Sequence, residues 1–88
     1  MTNQEFLDRA VRLVTNYTIE HTEVSDNASF YPEDVYIVWS CKTLQNNKAL
    51  LSTKRLDGMY YEVTYNGDKN EIYLDAYKKW DNLKIVFE

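Results

Sequence analysis

The spacing of apolar residues over the first twenty positions predicts an amphipathic helix. Several of them fall on one helical face, namely Leu7, Ala10, Val11, Val14 and Tyr17. Thr2 stands three residues before Glu5, a pair typical of a capping box that satisfies backbone N–H groups where a helix begins. We therefore predict a helix over residues 3–20.

The helical period then stops, and a different pattern follows. Residues 21–34 hold the only proline of the chain and have no apolar repeat, which predicts a loop with a helical turn that begins at Pro32. After residue 34 the apolar residues alternate with a period of two, as in half-buried strands.

Turn signals divide this alternating part into strands. Asp57-Gly58 and Asn66-Gly67-Asp68 favour tight reversals of the chain. We predict four strands and a meander in which consecutive strands pair antiparallel. Their ranges are about 35–43, 48–54, 59–65 and 70–76.

The pattern beyond residue 70 fits two structures. Ile72, Leu74 and Ala76 alternate as in a strand, whereas Tyr73, Ala76, Tyr77 and Trp80 also form a helical stripe. Residues 71–82 are therefore strand or helix. We expect a strand to about residue 76, a helical turn at about 77–81 and a short fifth strand at about 83–87.

These elements predict a single domain of the α+β class with two layers. An amphipathic helix and a four-stranded sheet bury apolar surface most efficiently when the helix lies on one face of the sheet. The predicted core comes from the helix, the first strand and the last two strands. Its members are Leu7, Val11, Val14, Ile37, Trp39, Cys41, Val63 and Leu74.

The opposite face of the sheet would then be rich in tyrosine, of which the chain has eight. Tyrosine is enriched at protein interfaces, but it also favours strands and stabilises wet sheet faces through cross-strand pairs. This face is our candidate protein interface. Its predicted members are Tyr36, Tyr60, Glu62, Tyr73, Asp75 and Tyr77.

Composition and charge restrict the class of protein. The 88 residues include 14 acidic and 10 basic side chains, but only one Cys and one His, which disfavours a disulfide framework and most structural zinc sites. Few basic residues are clustered, so nucleic-acid binding is disfavoured. No apolar run approaches the roughly 20 residues of a membrane span, and no secretion signal is evident, so we expect a cytoplasmic location.

No motif points to an enzyme. The chain lacks the glycine-rich phosphate-binding, zinc-protease and serine-hydrolase patterns. Cys41 and His21 are the one nucleophile and base that could pair, but the alternation predicts a buried Cys41. We therefore predict no catalytic residue, no metal site and no cofactor.

Much of the chain resembles a known family. The resemblance is carried by the stretch Val35–Thr53, with Trp-Ser-Cys-Lys-Thr-Leu-Gln-Asn as its most specific part, and continues through Asp57–Lys69 and Tyr73–Trp80. The family consists of short proteins of unknown function from phages and prophages of Gram-positive bacteria. The resemblance implies an accessory phage product in the host cytoplasm and no known site residues.

Three functions are compatible with these observations. We favour a non-enzymatic module that binds a host or phage protein through the tyrosine-rich face. One alternative is an inhibitor that imitates nucleic acid with the acidic segment 20–34. The other is a homo-oligomeric structural protein that uses the same tyrosines against a second copy.

Overall fold

The fold is one helix packed against one sheet. The computed structural model describes residues 1–21 and 29–87. Its elements are α1 (Asn3–Glu20), a 3-10 turn (Pro32–Asp34), β1 (Val35–Thr43), β2 (Asn46–Thr53), β3 (Met59–Asn66) and β4 (Glu71–Lys78). The strands form an antiparallel sheet in the order β1-β2-β3-β4. The predicted α+β fold, with a helix on a four-stranded meander, is therefore confirmed.

The start of α1 is fixed by the predicted capping box. The backbone N–H of Glu5 donates to Thr2 Oγ1 at 3.1 Å, and the backbone N–H of Thr2 donates to Glu5 Oε1 at 3.2 Å. Hydrogen bonds from Thr2 to the Glu5 carboxylate favour its charged form, which lowers the pKa of Glu5.

Each of the three turns between strands contains a residue with positive φ. Leu44 has φ 54°, Gly58 has φ 71° and Asn70 has φ 53°. Tight hairpins require this backbone region, which glycine and asparagine enter at low cost and leucine does not. The turn between β1 and β2 is shorter than predicted, because Asn46 and Asn47 already belong to β2.

The core lies between α1 and the inner strands. Its buried hydrophobic residues are Phe6, Ala10, Val14, Val35, Ala49, Leu51, Tyr61, Val63 and Tyr65. Of the predicted core residues, Val14 and Val63 are fully buried. Leu7, Val11 and Leu74 are partly buried and pack against the same cluster.

Three residues of β1 were assigned to the core wrongly. Ile37 and Trp39 are 39% and 44% exposed, and Cys41 is exposed. The pairing of β1 with β2 shifts at Val38, so that Ile37 lies opposite Leu51 but Trp39 lies opposite Leu50. A β-bulge of this kind reverses the alternation, so the side chains that follow it point to the other face. Ile37 points to the helix side of the sheet, as Leu51 does. It is nevertheless exposed, because β1 is an edge strand.

The predicted structure after residue 76 is also corrected. Tyr77 and Lys78 complete β4, so the strand prevails over the helix here. Residues 79–87 have no regular secondary structure, and the described part of the chain has neither a fifth strand nor a second α-helix. Backbone pairing ends with one further bond, from Lys79 N–H to the carbonyl of Gly58 at 2.7 Å.

The predicted loop 21–34 is described only in part. Residues 22–28 lie outside the described residues. The helical turn predicted to begin at Pro32 is present as the 3-10 turn Pro32–Asp34.

Two neighbouring leucines test the two faces of the sheet. Leu51 is fully buried in the core, whereas Leu50 is only half-buried on the other face. We expect Leu51→Ala to lower the free energy of unfolding by about 2–5 kcal/mol, because it leaves a cavity. Leu50→Ala serves as the matched control and should cost less than half as much. Denaturant unfolding measures both, and equal losses would contradict the assignment of the two faces.

Candidate functional site: the open face of the sheet

The face of the sheet turned away from α1 is not covered by any element of the described chain. Buried residues of β2 and β3 mark the helix side, and their neighbours along each strand point to the other side. We call this other side the open face. Its aromatic, aliphatic and acidic members are Tyr36, Trp39, Leu50, Tyr60, Glu62, Tyr73, Asp75 and Tyr77.

The strand register arranges these side chains in rows across the sheet. Tyr36 pairs with Ser52, which pairs with Tyr60, which in turn pairs with Tyr77. Residues directly opposite each other on neighbouring strands point to the same face and lie about 5 Å apart at Cβ. Ser52 is therefore flanked by tyrosines, which explains why it is only 5% exposed on an otherwise open surface.

The next row combines an aromatic side chain with carboxylates. Trp39 pairs with Leu50, Leu50 pairs with Glu62, and Glu62 pairs with Asp75. The aromatic rings at both ends of the open face are well exposed. Tyr36 is 48% exposed, Trp39 is 44% exposed, and Tyr73 and Tyr77 are each 52% exposed.

Glu62 and Asp75 are two carboxylates of the open face, and in the described part of the chain only Glu62 lies close to a positive charge. Glu62 Oε1 lies 3.4 Å from the ammonium of Lys48, its neighbour on β2. Asp75 lies directly opposite Glu62 and forms no salt bridge within the described residues. Like charges directly opposite each other destabilise a sheet. This pair therefore adds nothing to the fold and leaves a negative charge beside the tyrosines.

One tyrosine of this face interacts with a carboxylate on its own strand. The Tyr73 hydroxyl donates a hydrogen bond to Glu71 Oε2. That bond and the negative charge of Glu71 favour the neutral phenol, so the pKa of Tyr73 is raised. Tyr73 therefore remains a neutral hydrogen-bonding group at physiological pH.

All six residues predicted for the interface lie on the open face: Tyr36, Tyr60, Glu62, Tyr73, Asp75 and Tyr77. Their binding role remains a prediction. The sequence reasoning missed Trp39, because strict alternation placed it with Ile37 in the core. The β-bulge at Val38 changes this, and a bulge on an edge strand has no reliable sequence signal.

Cys41 and His21 are not brought together. Cys41 pairs with Lys48 on the open-face side of β1. His21 lies at the end of α1, where its ring stacks on Tyr17 with centroids 3.8 Å apart and its Nδ1 is 2.8 Å from the Tyr17 carbonyl. The sheet therefore separates the one candidate nucleophile from the one candidate imidazole base.

The described residues also contain no cluster of three or more His, Cys, Asp or Glu that could hold a metal ion. Across the same residues, none of the helices is both long and apolar enough to cross a membrane. The acidic segment 20–34, predicted as an imitation of nucleic acid, is described only in part, because residues 22–28 with two of its five acidic side chains lie outside the described residues.

Sequence comparison assigns the chain to a family. The model of the family of unknown function DUF6275 matches residues 7–87. This range covers α1 from Leu7 onward, the whole sheet and the segment that follows it. The chain therefore belongs to this family. Neither a curated protein nor a solved structure matches it significantly.

The accessibility of Cys41 tests the bulge in β1. The chain contains a single cysteine, and the structure places it in an exposed position. We expect a thiol reagent to modify the native protein without prior unfolding, because the reagent can reach an exposed thiol in the folded state. Cys41→Ser provides the blank. Modification that occurs only after unfolding would place Cys41 in the core and contradict the bulge.

Proposed function

We propose that this protein is a non-enzymatic binding module that contacts a host or phage protein through its open face. One observation carries the proposal. The sheet presents tyrosine and tryptophan side chains about half exposed, around an acidic pair, on a surface that the single helix does not cover.

The composition of the open face suits protein recognition. Tyrosine and tryptophan combine a large rigid contact area with a polar tip and lose little conformational freedom on binding. Leu50 contributes apolar surface between Trp39 and Glu62 in the same row. Tyrosine and tryptophan are among the side chains most enriched at interface hot spots.

The charges of the open face favour a partner with a basic residue at the centre of its contact surface. Glu62 is already paired with Lys48, whereas Asp75 faces a like charge. A lysine or arginine of the partner placed between Glu62 and Asp75 would relieve this repulsion. The same carboxylates disfavour nucleic acid, because phosphate would meet negative charge on the aromatic surface.

The proposed biological context, a phage protein in a bacterial host, rests on sequence resemblance. The stretch around Trp39-Ser-Cys-Lys-Thr resembles short proteins of phages and prophages of Gram-positive bacteria. An accessory protein of that kind would act in the cytoplasm of the bacterial host. The separation of Cys41 from His21 supports a binding role rather than nucleophilic catalysis.

Substitutions on β1 test the open face without altering the core. Trp39→Ala and Tyr36→Ala remove half-exposed rings that lie far from β4. If these rings are hot spots, each substitution should weaken the protein partner's binding by about 2 kcal/mol, or roughly thirtyfold in Kd. The partner is first captured from host lysate with the unmodified protein, and its Kd is then measured by calorimetry.

The control for this experiment is Tyr31→Ala. Tyr31 is 56% exposed but precedes the 3-10 turn and is not on the open face. It should leave the Kd unchanged, and circular dichroism should show the native fold in all three variants. A captured partner that binds the Trp39 and Tyr36 variants as tightly as the unmodified protein would refute the proposal.

A further inference from the structure

The segment that follows β4 is the most exposed apolar part of the described chain. It comprises residues 79–87, and its large apolar side chains are almost free of contacts. Their exposed fractions are 97% for Trp80, 74% for Leu83, 74% for Ile85, 73% for Val86 and 94% for Phe87. Large exposed apolar side chains that are concentrated in one segment are typical of an interaction site.

The edge of the sheet beside this segment is also uncovered. β4 pairs with β3 on one side only, so its other side presents unpaired N–H and C=O groups. Shallow grooves run between α1 and this edge, and Leu13, Ile72 and Leu74 line them while only half-buried. A strand added beside β4 would pair these backbone groups and cover the grooves.

The segment does not fold back to supply that strand itself. Every turn between strands of this sheet contains a residue with positive φ, whereas residues 79–87 contain none. The bond from Lys79 N–H to the Gly58 carbonyl continues the pairing of β4 with β3 past Lys78. The chain therefore follows the direction of β4 as far as Lys79, and the apolar side chains from Trp80 to Phe87 stay exposed.

A second copy of the chain offers the matching edge. We propose that residues 79–87 pair antiparallel with β4 of a second copy, so that two sheets join edge to edge across a twofold axis. Residues 79–87 of each copy would thus form a fifth strand beside β4 of the other copy. The proposal concerns the edge of the sheet and does not depend on the partner proposed for the open face.

Charge distinguishes between the registers that are centred on Lys79, Trp80 and Asp81, the first residues after β4. Residues that lie opposite each other in the paired strands must point to the same face of the sheet. The twofold axis therefore has to pass through a residue position and not between two residues. An axis at Lys79 would place Lys79 opposite itself, and an axis at Asp81 would place Asp81 opposite itself. An axis at Trp80 places Lys79 of each copy opposite Asp81 of the other, which gives two favourable charge pairs.

The same register also matches the apolar side chains. With the axis at Trp80, Tyr73 lies opposite Phe87, Leu74 opposite Val86, and Tyr77 opposite Leu83. Leu74 is half-buried under α1, so Val86 of the second copy would extend the core beyond the present edge.

The pairing also removes apolar surface from water. Phe87 would contact Tyr73, Val86 would contact Leu74 and Leu83 would contact Tyr77 across the new strand pair, and Trp80 would contact Trp80 of the second copy.

The oligomeric state tests the pairing. We expect sedimentation equilibrium to give twice the chain mass of 10.5 kDa at micromolar concentration. The double variant Trp80→Ser/Phe87→Asp should be a folded monomer there, because it removes both rings and places an acid near Asp75 of the second copy. Leu56→Asp is the matched control, since Leu56 is fully exposed in the turn between β2 and β3, and it should remain a dimer.

Exchange of charges tests the register. Lys79→Glu and Asp81→Lys should each weaken the dimer by roughly threefold to thirtyfold, because each places like charges opposite each other twice. The combination Lys79→Glu/Asp81→Lys should restore the original dissociation constant. Failure of the combination to restore it would overturn the register.

Three other results would overturn the pairing itself. They are a monomer at all concentrations, a dimer that Trp80→Ser/Phe87→Asp leaves intact, and nuclear Overhauser contacts that place residues 83–87 against β4 of the same copy. Tyr36→Ala should leave the dimer intact, because β1 lies at the opposite edge of the sheet. A failure of the dimer is therefore distinguishable from a failure of the open face to bind.

Discussion

The packing of α1 on the sheet is the interaction on which the rest of the structure depends. Phe6, Ala10 and Val14 lie against Ala49, Leu51 and Val63, and all six side chains are fully buried. A helix is about 10–12 Å wide and strands are about 4.8 Å apart, so one helix covers two or three strands of four. A chain with one long helix must therefore leave one face of its sheet and one edge without cover.

The sequence predicted this arrangement because its strongest signals are local. The capping box at Thr2 and Glu5, the face that contains Val14, and the turns at Gly58 and Gly67 each indicate one element through short-range chemistry. Consecutive hairpins leave a meander as the simplest topology. The alternation in β3 correctly placed Tyr60 and Glu62 opposite to Val63, and this gave most of the open face.

The errors arose where tertiary structure overrides the local pattern. In β1 every residue from Val35 to Trp39 is apolar or aromatic, so the sequence does not show where the bulge at Val38 reverses the alternation. An edge strand tolerates such a bulge because one of its sides has no partner to keep in register. In residues 83–87 the alternation does favour a strand, but a strand needs a partner edge, which the described part of the same chain does not supply.

The two uncovered surfaces differ in chemistry, and this difference suggests different kinds of contact. Tyrosine and carboxylate side chains on the open face keep their polar groups hydrated, so the face is stable in water and suits a partner that binds and dissociates. The side chains of Leu83, Ile85, Val86 and Phe87 have no polar group, and they follow a strand whose outer edge has unpaired backbone groups. Such a segment is more apolar than the open face, and interfaces of obligate assemblies are likewise more apolar than transient ones. Pairing at the β4 edge would also place two open faces side by side. The dimer would then offer twice the surface to a partner that binds the open face reversibly.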